Sequence, residues 1–141
     1  MPGAMMSPHP VEFRQNGDDL FLLLEEWGAI RTIFMTPNDS PELPTSSLLG
    51  HSMGRWEDGT LVVRTSYIDY PYMDEHGTPQ REAVKIVERF SLSPDGNSMN
   101  WSAAVTDPGV FTEPVVVFTT RWDWVSGEEI QVYDCREFDP F

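Results

Sequence analysis

Short strand-like segments separated by turn residues run along almost the whole chain, and this pattern restricts the fold more than any other feature. Most segments alternate apolar with polar residues, and Gly, Pro, Asn or Asp stands between consecutive segments. The pattern predicts about nine strands and no long helix. We therefore predict an all-β, single-domain antiparallel meander over residues 11–141, after an extended segment at residues 1–10 that carries three prolines.

Sequential hairpins favour a closed, calycin-like barrel of about eight to ten strands, because closure removes exposed strand edges. A two-sheet β-sandwich is the alternative architecture. A hairpin over residues 49–69 is central to the pattern, with Asp58-Gly59 as its two-residue turn. The other strands are predicted at residues 11–15, 20–26, 29–35, 83–92, 98–107, 115–125 and 130–135.

The charge of the chain restricts its partners. It carries 23 acidic and 9 basic residues, a net charge of −14, so phosphate backbones and anionic lipid surfaces should repel it. No apolar run approaches the ~18 residues of a membrane-spanning helix. We predict neither a nucleic-acid partner nor a membrane partner, and the N-terminus lacks the charged and apolar regions of a signal peptide.

Metal and disulfide chemistry have little support in the sequence. Cys135 is the only cysteine, so an internal disulfide and a cysteine-based zinc site are excluded. The three histidines are scattered without metal-ligand spacing. We therefore predict no metal and no cofactor.

Strand alternation places several polar residues on otherwise apolar faces. His51, Asp69, Glu88 and Asp107 are predicted to point inward in this way, and Arg31 is the natural counter-charge. A charged residue on an apolar face must be paired, neutral or functional. For Asp69 and Asp107, which lie at strand ends, capping of a turn is the alternative to a secondary catalytic role.

Glu88 is the most informative of these residues because it lies in the middle of a strand. It either forms a structural pair with Arg31 or Arg121, or has a raised pKa and acts on a ligand as an acid. His51 either bonds a backbone group at a strand start or serves as a general base.

Together these residues predict a cofactor-independent enzyme of the lyase or isomerase type, which moves protons on a small apolar or aromatic molecule in a barrel pocket. The catalytic candidates are His51, Glu88, Asp69 and Asp107. The candidate ligand-binding residues are Arg31, Trp56, Tyr67, Tyr72, Trp101 and Tyr133. The alternatives are a non-catalytic barrel that binds a small hydrophobic ligand, and a carbohydrate- or protein-binding β-sandwich. The oligomeric state is not determined by the sequence, and a homodimer is one alternative.

The run from Leu49 to Val63 resembles an uncharacterised bacterial family whose members carry a Gly-His-Ser-x-Gly-Arg-Trp-Glu core followed by Thr-Leu-Val-Val. The resemblance extends to Glu88-Arg89-Phe90, to Asp107-Pro108 and to Tyr133-x-Cys135-x-Glu137. It implies a periplasmic or secreted location but no established activity. The chain departs from the family at Phe34 and at residues 78–80, where members often carry histidine, and this weakens any metal or proton-relay hypothesis built on those positions.

Overall fold

Eight strands form one sheet in a computed structural model that describes residues 2–36 and 44–134. The strands are β1 (Val11–Asn16), β2 (Asp19–Leu24), β3 (Ala29–Phe34), β4 (His51–Glu57), β5 (Thr60–Ser66), β6 (Lys85–Leu92), β7 (Ser98–Thr106) and β8 (Val115–Asp123). They lie side by side in chain order. The predicted all-β meander is therefore confirmed, and the hairpin of β4 and β5 turns at Asp58-Gly59 as predicted.

One pair of strands departs from the antiparallel pattern. β3 and β4 run parallel, with Ile33 opposite Ser52 and Phe34 opposite Met53. A parallel pair requires a crossover connection rather than a tight hairpin. β3 and β4 therefore do not form a hairpin, although the prediction of sequential antiparallel strands holds for every other neighbouring pair.

The sheet curls so that one face becomes the interior of the protein. The ring of Phe13 on β1 meets the ring of Phe90 on β6 edge to face, with 5.3 Å between their centroids. The core contains aliphatic side chains from β2, β3, β5, β6 and β7 together with Trp101 and Phe90. No pairing between β1 and β8 closes the sheet within residues 2–36 and 44–134, so the choice between barrel and sandwich stays a prediction.

Both ends of the chain differ from the prediction. Pro2–Met6 forms a 3₁₀ helix instead of an extended segment, because Met5 is buried in the core and the amide of Gly3 donates to the carbonyl of Met73. A final strand at residues 130–135 was predicted, but residues 130–134 are not a strand and Cys135 lies outside the described residues. None of the described helices is long and apolar enough to cross a membrane.

Candidate functional site

Five consecutive strands each contribute one polar side chain to a cluster in the interior. Its members, which we call the buried polar cluster, are Arg31 on β3, Ser52 on β4, Thr65 on β5, Glu88 on β6 and Trp101 on β7. None of the five is more than 1% exposed. Charged groups with so little exposure must be paired and hydrogen-bonded to avoid a large desolvation cost.

The geometry of the cluster satisfies that requirement. Both terminal nitrogens of Arg31 donate to the Glu88 carboxylate, with 3.0 Å between Nη1 and Oε1. Arg31 also donates from Nε to Ser52 Oγ at 2.9 Å and from Nη2 to Thr65 Oγ1 at 2.7 Å. Trp101 Nε1 donates to Glu88 Oε1 at 3.2 Å. Of the two arginine partners that the sequence left open for Glu88, the structure selects Arg31.

Arg121, the other candidate partner, lies on the opposite face of the sheet. Its Nε donates to Asp123 Oδ1 at 3.2 Å. The prediction that Glu88 is buried and faces inward is confirmed, and its carboxylate accepts hydrogen bonds from three members of the cluster, Arg31, Trp101 and, at 3.5 Å, Thr65. A catalytic role for Glu88 stays a prediction.

The predicted orientation of His51 is wrong. On β4 the buried positions are Ser52 and Gly54, so His51 faces the other way and stacks on Phe34, with 5.1 Å between the ring centroids. Partial burial lowers the pKa of His51. The inward face of β4 consists of small residues because Met35 and Ile33 cover Gly54 so closely that a Cβ there would lie 2.5 Å from the Met35 sulfur.

The two aspartates predicted at strand ends have different environments. Asp107 is fully buried, and its carboxylate accepts from the amides of Arg81 at 2.7 Å and Gly109 at 3.0 Å, which confirms the turn-capping alternative. Asp69 is exposed, so its predicted inward position is wrong. Tyr67 has a φ of 57°, and this left-handed residue interrupts the alternation of β5 and buries Ile68 instead.

The predicted ligand-binding residues do not come together. Arg31 and Trp101 belong to the buried polar cluster, whereas the other four are exposed to different degrees on separate elements: Trp56, Tyr67, Tyr72 and Tyr133. The ring of Tyr133 lies beside the ring of Trp27, with 5.7 Å between the two ring centroids. Trp56 borders a shallow groove of about 390 Å³ beside β1 and β2.

A larger groove lies on the outer face of the sheet, where the sequence had predicted no site. Its volume is about 580 Å³, and β5 to β8 line it with two arginines and a set of hydroxyl and amide side chains. Its lining residues are Thr60, Arg89, Ser91, Asn100, Trp101, Ser102, Thr119, Thr120 and Arg121. The sequence contains a signal for this groove, because most outward positions of β6 to β8 are polar and alternate with mainly apolar inward positions, although Val87, Ala104 and Val116 are apolar and outward.

Trp101 is the one member of the buried polar cluster that also borders the larger groove. Arg31, Ser52, Thr65 and Glu88 border neither of the two grooves. Within the described part of the chain, no three His, Cys, Asp or Glu side chains are arranged to hold a metal ion.

Comparison with known proteins identifies no relative. The chain matches no protein-family model, no curated protein and no solved structure. The resemblance noted for residues 49–63 therefore stays a prediction.

Proposed function

We propose that this chain is a non-catalytic binding domain that recognises a carbohydrate on the outer face of its sheet. The observation that carries the proposal is the groove of about 580 Å³, whose lining residues include two arginines, an asparagine and several serines and threonines. A carbohydrate presents many hydroxyl groups, and a surface rich in donors and acceptors on a rigid scaffold suits such a ligand. The proposal corresponds to the carbohydrate-binding alternative drawn from the sequence, at a different surface.

Hydrogen-bonding capacity in the groove is free for a ligand. The side chains of Ser91, Asn100, Ser102 and Thr119 make no hydrogen bond to any other residue that the structure describes. Ser91 is opposite Asn100 and Ser102 is opposite Thr119, on strands whose backbones are about 4.8 Å apart. A ligand that lies across β6, β7 and β8 can therefore meet several of them at once.

The interior offers less support for binding or catalysis. Glu88 is only 1% exposed, and its two oxygens already accept from Arg31 and Trp101. An acid–base mechanism requires the acid within hydrogen-bond reach of the substrate. The acid–base enzyme predicted from the sequence would need this network to open, and His51, its predicted base, lies on the other face of the sheet.

Exposed aromatic rings do not carry the proposal. Trp27, Trp56 and Trp124 are all more than 60% exposed, but none of them lines the groove. Sugar recognition through a row of exposed tryptophans, as the sequence suggested, is therefore replaced by recognition through polar side chains.

A titration followed by amide NMR tests the proposal. We expect shift changes at the amides of Ser91, Asn100 and Ser102 when members of a panel of neutral and acidic oligosaccharides are added to the full chain. The double variant Asn100→Ala with Ser102→Ala should weaken binding at least ~tenfold, because two hydrogen-bonding groups are lost.

The matched control is Ser126→Ala, which removes an exposed hydroxyl from the turn after β8 and should leave binding unchanged. Absence of any shift change in the groove across the whole panel would refute the proposal. A small aromatic molecule that perturbs the buried polar cluster, and whose binding Glu88→Gln abolishes, would favour the enzyme or the hydrophobic-ligand carrier instead.

A further inference from the structure

We infer that the ligand of the outer-face groove is a short acidic oligosaccharide, bound through its carboxylate or sulfate groups. This inference rests on the proposed carbohydrate-binding function and adds the charge of the ligand. Its basis is an unequal distribution of charged side chains between the faces of the protein, which the net charge of −14 does not reveal.

Basic side chains are concentrated on the outer face of β4 to β8. Within residues 2–36 and 44–134, five basic side chains and two acidic side chains project from the strands of this face. The five are Arg55, Arg64, Lys85, Arg89 and Arg121, and the two acidic residues are Glu57 and Asp123. This face therefore has a positive balance on a protein that is strongly negative elsewhere, and such local excess attracts anions of matching size.

The two arginines of the groove keep donors available. Arg89 uses Nη1 to bond Glu57 at 3.3 Å, and Arg121 uses Nε to bond Asp123 at 3.2 Å. Their other nitrogens donate to no described residue. A guanidinium group binds carboxylate and sulfate through paired N–H groups. Each arginine can therefore bind an acidic substituent of the ligand, while Glu57 or Asp123 fixes the orientation of the guanidinium group.

The positive surface continues beyond the groove along the strands. Arg64 lies two residues from Val62 on β5, and Val62 is opposite Arg89 in the sheet. Arg64 and Lys85 are exposed and have no carboxylate partner within the described ranges. An oligosaccharide with more than one acidic group can therefore meet the groove and this extension together.

A saccharide fits this surface better than a peptide does. Peptides commonly add to a sheet edge or insert apolar side chains into a groove. Three of the four strands that line the groove, β5, β6 and β7, are hydrogen-bonded on both sides, and only β8 has an unpaired side in the described sheet. Val62, an apolar residue at the centre of the face, is buried. A long polyanion such as nucleic acid would in turn be repelled by the rest of the protein.

The experiment compares an acidic trisaccharide with its uncharged ester and with a sulfated trisaccharide. Trigalacturonate, its uncharged methyl ester and a sulfated galactose trisaccharide are titrated into the full chain, with calorimetry for affinity and amide NMR for location. We expect at least one charged sugar to bind ~tenfold or more tightly than the ester, with shift changes in the groove and an affinity that falls as salt rises. Comparison of trigalacturonate with the sulfated trisaccharide shows whether the groove prefers carboxylate or sulfate groups.

Variants of the two groove arginines test the contacts. Arg89→Gln and Arg121→Gln should each weaken the charged sugar about tenfold and leave the ester nearly unchanged. Arg14→Gln is the matched control, because Arg14 is exposed on β1 and pairs with Glu12 two residues away, as Arg121 does with Asp123.

Each alternative outcome has a definite meaning. Equal binding of the ester and the charged sugars would overturn the inference and leave the proposed function standing. Binding of neither in the groove, with neutral sugars also inactive, would overturn both. Displacement of the charged sugar by an oligoglutamate peptide of equal affinity would overturn the choice of a saccharide.

Discussion

Removing the charge of Glu88 should destabilise the protein strongly, and the buried polar cluster sets the magnitude. Glu88→Gln keeps the shape of the side chain but leaves the guanidinium of Arg31 buried without a counter-charge. Removal of one partner from a buried ion pair costs about 3–5 kcal/mol. Since a domain is stable by only about 5–15 kcal/mol, the variant should lose a large part of its free energy of unfolding.

Urea denaturation followed by tryptophan fluorescence measures this loss, and the slope of the unfolding free energy against urea should stay unchanged. Glu57→Gln is the control, because Glu57 is in an ion pair with Arg89 on the exposed face and its loss should shift the midpoint little. The double variant Arg31→Met with Glu88→Met should be more stable than Glu88→Gln alone, because it leaves no unpaired charge.

A loss of less than about 1 kcal/mol in Glu88→Gln would refute the reasoning. A double variant that is less stable than the single variant would also refute it. In addition, folded Glu88→Gln should bind the groove ligand normally, since Glu88 does not border the groove.

Three further substitutions test local features. Gly50→Ala should cost more stability in urea than Gly59→Ala: both glycines have φ above 70°, but only at Gly50 would the new Cβ lie 2.7 Å from neighbouring atoms. His51→Gln should flatten the dependence of stability on pH, measured between pH 7.5 and 5 (about one unit either side of the ordinary histidine pKa). Burial lowers the pKa of His51 in the folded state, so the unfolded chain takes up its proton first and stability falls as pH drops below the ordinary pKa. Asp107→Asn should weaken two amide hydrogen bonds and cost about 1–3 kcal/mol, and faster hydrogen exchange of the Gly109 amide would report it.

Most strands could be predicted from the sequence because alternation and turn residues act locally. The segment that contains β6, for example, was assigned with Ile86, Glu88 and Phe90 on one inward face, and all three are buried. The Asp58-Gly59 turn was predicted for the same reason, since these residues adopt the positive φ that a two-residue hairpin requires.

The errors arose where tertiary packing overrides the local pattern. Met5 packs in the core against residues that are distant in the sequence. The N-terminal segment therefore forms a short 3₁₀ helix instead of an extended segment. On β4, flanking apolar residues suggested an inward His51, but the approach of Met35 to Gly54 requires the small residues to face inward.

Sequence by itself determined that the chain is all-β, that it is strongly acidic, and that a carboxylate lies inside, because composition and periodicity depend only on neighbouring residues. Only the tertiary structure decided that Arg31 pairs with Glu88 and that basic residues from four strands share one outer face. Both arrangements depend on the order and register of strands far apart in the chain, and no local pattern encodes that register.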